Sequence, residues 1–144
     1  MNRKQLQIEV CKAMLDTNIR IAASELNENE IAVTTTGFDA VVFDKGEIIF
    51  DVSKIKKIET LKAVLDDHEK DEPIKPTGEM FKESGLIFEK LKGETLEVYV
   101  NNTLLKKFSG YQFHANSPTG RVLAKDEFGR LVGCFLPIRK DVCK

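Results

Sequence analysis

Apolar residues recur along this chain with two periods, and the switch between them marks out the elements. Asn2 is a good helix N-cap, and Leu6, Val10, Ala13 and Met14 follow at helical spacing, which predicts a helix over 3–16. The period then shortens to two. Ile19, Ile21 and Ala23 alternate with polar neighbours, Asn27 to Glu30 reads as a turn, and Ile31, Val33 and Thr35 alternate again. Gly37 breaks this run, Phe38 to Phe43 is β-branched and aromatic, and Asp44-Lys45-Gly46 is a hairpin signal that predicts Ile48 to Val52 pairing back. Four strands in a meander are expected.

Ser53 is placed to cap a second helix, with Ile55, Ile58, Leu61, Val64 and Leu65 on one stripe, ending near Asp67-His68. The segment 69–78 is polar, contains Pro73 and Pro76, and is expected to be an exposed loop. A helical stretch is predicted over 79–91 from Met80, Phe81, Ile87, Phe88 and Leu91, interrupted by Gly85. Leu96, Val98 and Val100 form a strand pattern. Asn101-Asn102-Thr103 caps a short helix through Leu104, Leu105 and Phe108. Three strands follow, Tyr111–Ala115, Gly120–Lys125 and Arg130–Ile138, the last two joined by a turn at Phe128-Gly129. The expectation is a single α+β domain over 1–144 with antiparallel sheet and two to four helices. Its half-units, 1–68 and 77–144, have similar element orders, so a pseudo-duplicated architecture is expected.

With 144 residues, 42% hydrophobic and 31% charged, the composition is that of a globular domain large enough to bury its own core. No segment reaches the roughly 20 apolar residues that span a bilayer, and the first residues lack a secretion pattern, so a cytoplasmic protein without a membrane partner is expected. Cys11, Cys134 and Cys143 form no metal or redox spacing and read as plain thiols.

The net charge is −1, but it is unevenly spread. From Ala22 to Lys70 eleven acidic and six basic residues leave −5; from Leu104 to Lys144 eight basic and three acidic leave +5. The basic third makes Lys106, Lys107, Arg121, Lys125, Arg130, Arg139 and Lys140 the candidates for contact with DNA or another anion, since phosphate contacts need only cations on one face. The alternative is that these charges only solvate a strand face.

Motifs for catalysis are absent. The two histidines, His68 and His114, have no second ligand at metal spacing. His68 at a helix end is explained as a charge partner of the dipole. Cys134 and His114 form a nucleophile–base pair only on paper, because Cys134 follows Gly133 in an apolar strand. Phosphate-loop glycine patterns do not occur. Asp66-Asp67 and Asp71-Glu72 read as exposed acidic residues, and Asp39, Asp44 and Asp51 on neighbouring strands as a remote oxygen-ligand set. A non-catalytic binding protein that needs no metal and no cofactor is expected.

One stretch is more specific. It comprises Val100-Asn101-Asn102-Thr103-Leu104-Leu105-Lys106-Lys107-Phe108, Asn116-Ser117-Pro118, Arg121-Val122-Leu123-Ala124 and the closing Leu136-Pro137-Ile138-Arg139. About 40 residues here resemble the end of a bacterial DNA polymerase sliding clamp, where a strand, an Asn-opened leucine-rich helix and three strands close in a Met-Pro-Met/Ile-Arg motif. The pattern also looks like small proteins of Gram-positive phages and mobile elements. A clamp chain carries three such domains, whereas this chain has room for one. The resemblance implies a role in DNA replication or a phage process, with a protein partner, DNA and further copies of the chain as binding partners. It implies that Leu136, Pro137 and Ile138 border an apolar groove for short peptides, and that Lys106 and Lys107 face DNA. The alternative is a phage or prophage protein that neutralises a host factor or a small nucleotide signal.

Overall fold

Asn2 caps the first helix, its Oδ1 accepting from the Gln5 N–H at 3.2 Å, and the helix α1 runs Arg3–Leu15, burying Leu6, Gln7, Val10 and Ala13. The computed structural model describes residues 2–15, 21–66 and 70–138. The protein is α+β and divides into two compact units, Asn2–Asp67 and His68–Lys144. The expected strand residue Ile19, His68, Arg139, Lys140 and Cys143 lie outside the described residues.

In the first unit, β1 (Ala22–Glu25), β2 (Glu30–Thr34) and β3 (Asp39–Asp44) form the expected antiparallel meander. The fourth strand is not where the pattern puts it. Ile48 to Val52 does not pair back, because α1 takes the hydrogen bonds of this segment. Gln7 Nε2 donates to the Glu47 carbonyl at 2.7 Å, and its Oε1 accepts from the Ile49 N–H at 2.6 Å. Arg3 binds Glu47 and the Val42 carbonyl and lies over the Phe43 ring. Phe50 packs edge-on against Phe43 at 5.7 Å, so the segment is held by its side chains.

The second helix also differs. Asp51, rather than Ser53, caps a single 3-10 turn at Val52–Lys54. The backbone then straightens into β4 (Lys56–Lys57), parallel to β1, because the Ile58 N–H donates to the Ala23 carbonyl at 2.8 Å and its carbonyl accepts from the Ser24 hydroxyl. Only after that does α2 (Thr60–Asp66) begin. The strand order of this unit is β4-β1-β2-β3.

The second unit contains β5 (Glu72–Glu83), β6 (Leu86–Lys92), β7 (Glu97–Asn101), α3 (Asn102–Lys107), β8 (Gln112–Ala115), β9 (Val122–Lys125) and β10 (Leu131–Phe135), in the order β10-β9-β8-β5-β6-β7. Two expectations are corrected here. Most of the expected loop at 69–78 belongs to β5, and the expected helix over 79–91 is the β5–β6 hairpin. Its turn is Ser84-Gly85, with φ of 52° and 81°, the left-handed pair that matches strand twist in a two-residue hairpin. Pairing runs Glu83↔Leu86, Phe81↔Phe88 and Met80↔Glu89, then shifts before resuming at Pro76↔Leu91 and Lys75↔Lys92.

The α3 helix and β8, β9 and β10 follow the predicted order. Asn101 caps α3, its side chain accepting from the Thr103 N–H at 2.9 Å. Alternation along the strands sends Ile74, Leu91, Val98, Val100, Phe113 and Phe135 to the face that also carries Leu105 and Phe108, and all are buried. Phe135 is the hub, with Phe108 at 5.5 Å and Phe113 at 5.6 Å. On the other face Phe81 stacks on Phe88 at 5.4 Å and meets Tyr99 edge-on at 5.6 Å. Beyond β10, the Ile138 N–H donates to the Tyr99 carbonyl on β7 at 2.9 Å. β10 and β7 are the two ends of this unit's strand order, and only Leu136 and Pro137 separate Phe135 from Ile138. Two residues reach roughly 10 Å at most, so the sheet curls until its ends meet.

Each unit thus contains a helix opened by an Asn cap and followed by a three-stranded antiparallel meander: α1-β1-β2-β3 in the first, α3-β8-β9-β10 in the second. Among the described residues no helix is long and apolar enough to cross a membrane.

Candidate functional site

The register of the second unit places lysines that the sequence alone does not bring together. Lys125 at the end of β9 is paired with Gln112 at the start of β8. Ile74 is paired with Phe113, so continuing that register by one residue puts Lys75 level with Gln112. Lys75 is directly opposite Lys92 on β6. Directly opposed residues point to the same face of a sheet, so Lys92, Lys75, Gln112 and Lys125 make one row on the face away from α3, with Glu97 opposite Lys92 at its β7 end. The row crosses three inter-strand steps, roughly 14 Å. Lys75, Lys92 and Gln112 are exposed, and Lys125 is half-buried.

The same end of the unit receives three more cations. α3 ends in Lys106, exposed, and Lys107, half-buried, and five residues after Lys107 the chain begins β8 at Gln112. Arg130, exposed, immediately precedes β10, whose first residue Leu131 is paired with Lys125. Four of the candidate residues, Lys106, Lys107, Lys125 and Arg130, are therefore brought to one end of the unit. Lys75 and Lys92 join them there. Asp126, Glu127 and Glu97 supply negative charge in the same region. Lys90, two residues before Lys92, is engaged by Glu79 and Glu97, both at 3.3 Å, and its pKa is raised chiefly by the hydrogen bond to Glu97.

Arg121 behaves differently. Its guanidinium donates through two nitrogens to the two oxygens of Asp71, at 2.9 and 3.1 Å, with side chains 9% and 1% exposed. It is a buried structural cation, and Asp71 is not the exposed acidic residue the sequence suggests. Leu136 is 46% exposed, while Pro137 and Ile138 are half-buried, with Ile138 tied to the edge of β7.

The turn between β9 and β10 carries the most exposed aromatic ring described, Phe128 at 86%. The turn is tightly bonded. The Asp126 Oδ1 accepts from the Phe128 N–H at 2.9 Å and the Arg130 N–H at 2.8 Å. The Gly129 N–H donates to the Asp126 carbonyl at 3.0 Å, the Asp126 N–H donates to the Arg130 carbonyl at 2.9 Å, and Gly129 supplies a φ of 79°.

His114 and Cys134 are both paired with Leu123, from opposite sides. They share a face but stand two strands apart, roughly 10 Å, with a leucine between them. Asp39 accepts from the Thr36 hydroxyl at 2.5 Å, and Asp51 caps the 3-10 turn. Among the described residues no group of three or more His, Cys, Asp or Glu is placed to hold a metal ion. In the first unit a cleft of about 580 Å³ is lined by Glu25, Lys57, Ile58, Glu59, Lys62 and Ala63. There the Glu25 carboxylate meets Lys57 at 3.4 Å and Lys45 at 3.5 Å, and the hydrogen bond from Lys57 is the main cause of its lowered pKa. No protein-family model, curated protein or solved structure matches the chain.

Proposed function

We propose that this chain is a non-catalytic binding protein whose C-terminal unit engages nucleic acid through its basic end. The observation that carries the reading is the directly opposed pair Lys75 and Lys92. Like charges in that position destabilise a sheet, and Glu97, opposite Lys92 on its other side, is shared with Lys90, so an anion lying over the two exposed lysines would offset their repulsion. Lys125 lies in the same row, Arg130 follows in the β9–β10 turn, and Lys106 and Lys107 stand at the same end of the unit on the α3 side; phosphates spaced along a backbone suit a row of cations better than a single pocket does. The setting in replication or a phage process rests on the likeness to sliding clamps, supported by the succession β7-α3-β8-β9-β10.

Fluorescence anisotropy with labelled oligonucleotides tests the reading. Four phosphate contacts on duplex DNA predict an affinity loss of about 150-fold between about 50 and about 200 mM salt. Lys75→Glu with Lys92→Glu, and separately Lys106→Glu with Lys107→Glu, should each weaken binding and flatten that dependence. Affinity indifferent to both double substitutions ends the proposal. Light scattering tests the clamp likeness, which requires a ring-like assembly of several copies.

A further inference from the structure

We infer that the bound nucleic acid is single-stranded and that Phe128 is the side chain on which a base stacks; this rests on the nucleic-acid reading above. Phe128 is 86% exposed, on a turn whose backbone and Asp126 carboxylate are joined by four hydrogen bonds. An aromatic ring held out into water on a loop this constrained is presented ready for a partner, with little ordering left to complete on contact.

The ring's neighbours narrow the partner. Lys125 stands three residues before it and Arg130 two after, with the lysine row running away across the sheet from Lys125. A flat apolar surface between cations fits an unpaired base whose flanking phosphates meet the cations on either side. A duplex keeps its base faces covered and would offer this ring nothing to stack on without unstacking a step. Two acidic groups stand at the tip, the Asp126 carboxylate, which is taken up by the turn's own N–H groups, and Glu127, exposed beside Phe128. DNA and RNA share the chemistry at issue, an unpaired base on a phosphodiester backbone.

The test is anisotropy on the full chain with labelled oligo(dT), oligo(rU) and a duplex of equal length, comparing wild type with Phe128→Ala, Phe128→Trp, Glu127→Gln and the Lys106→Glu/Lys107→Glu variant. Thermal melting of each variant establishes folding, which an exposed turn position should leave intact. Phe128→Ala should weaken single-strand binding by about 5- to 150-fold and leave duplex binding unchanged, while Phe128→Trp restores it. Glu127→Gln should strengthen binding of all three. A preference for one of the two single strands says whether DNA or RNA is the ligand. If Phe128→Ala binds single strands as wild type does while the double lysine variant is weakened, stacking is wrong and the nucleic-acid reading stands. Equal losses on duplex and single strands also overturn stacking. If wild type binds no oligonucleotide, both ideas fall and Phe128 is left as an anchor for a protein.

Discussion

Arg121 and Asp71 form a two-pronged ion pair, 2.9 and 3.1 Å, that joins the residue before β5 to the residue before β9 across 50 positions of sequence. With both side chains buried, removing one partner takes the paired charge from the other where water has little access. Asp71→Ala should lower unfolding stability by about 3–5 kcal/mol. Urea denaturation measures this, and a loss under about 1 kcal/mol would contradict the burial. Asp71→Leu combined with Arg121→Met should recover most of the loss, as an apolar pair of similar volume commonly does.

Gly93 is needed for a close approach. A Cβ there would run into Glu72 Oε2 and lie 2.8 Å from the Pro73 carbonyl oxygen and 2.9 Å from Ile74 Cγ2. The carboxylate can swing aside, but the Pro73 backbone is fixed in β5. Gly93→Ala should therefore destabilise by about 1–3 kcal/mol, the range for an overpacked site, and thermal melting is the readout. A melting temperature equal to wild type would mean that the β6–β7 turn shifts freely.

Lys75 and Lys92 set stability against binding. Lys75→Glu turns its repulsive pair with Lys92 into an attractive one, with the uncharged Gln112 on its other side, and should stabilise the unit by a few tenths of a kcal/mol to about 1 kcal/mol. The same substitution should reduce oligonucleotide affinity. Denaturation and anisotropy on the single variant therefore move in opposite directions, and a simultaneous fall in both would point to misfolding instead.

Glu72 accepts from the Thr95 hydroxyl and from the Thr95 N–H, the latter at 2.8 Å. The hydroxyl hydrogen bond is the larger cause of a carboxyl pKa below the ordinary 4.5. A lowered folded-state pKa gives stability that is present above the unfolded value and lost as pH falls through the folded one. Thr95→Val should bring the Glu72 titration, followed by NMR, back toward 4.5 and shrink the acid-side stability loss below that pH. An unchanged titration would show that the backbone donors suffice.

Legibility in the sequence followed how local the deciding contact is. α3 was readable because its cap and apolar positions lie within eight residues, Asn101 to Phe108, and the β9–β10 turn because Phe128-Gly129 marks it. The β5–β6 hairpin was misread as a helix because Met80, Phe81, Ile87, Phe88 and Leu91 satisfy a 3.6-residue period as well as two facing strands; Ser84-Gly85 was the signal that separates the two. Ile48 to Val52 looked like a strand, and nothing nearby announced that the Gln7 side chain would bond to Ile49. The candidate site divided the same way. Lys106 and Lys107 were visible as a pair, whereas Lys75 and Lys92 meet only once the hairpin register is known. Arg121 looked like its basic neighbours until Asp71 came within reach.

The shift in pairing between Pro76 and Met80 affects how the protein behaves in bulk. A twelve-residue strand whose neighbour β8 covers only its first few positions would ordinarily be a template for accretion of further chains. Pro76 has no N–H to offer, Gly78 turns back at a φ of 81°, and the Thr77 hydroxyl donates to the Lys90 carbonyl of its own hairpin at 2.8 Å. The straight ladder that a growing fibril requires is broken at that point. The arm can therefore carry Met80, Leu86 and Ile87 in contact with water without recruiting its own kind edge to edge.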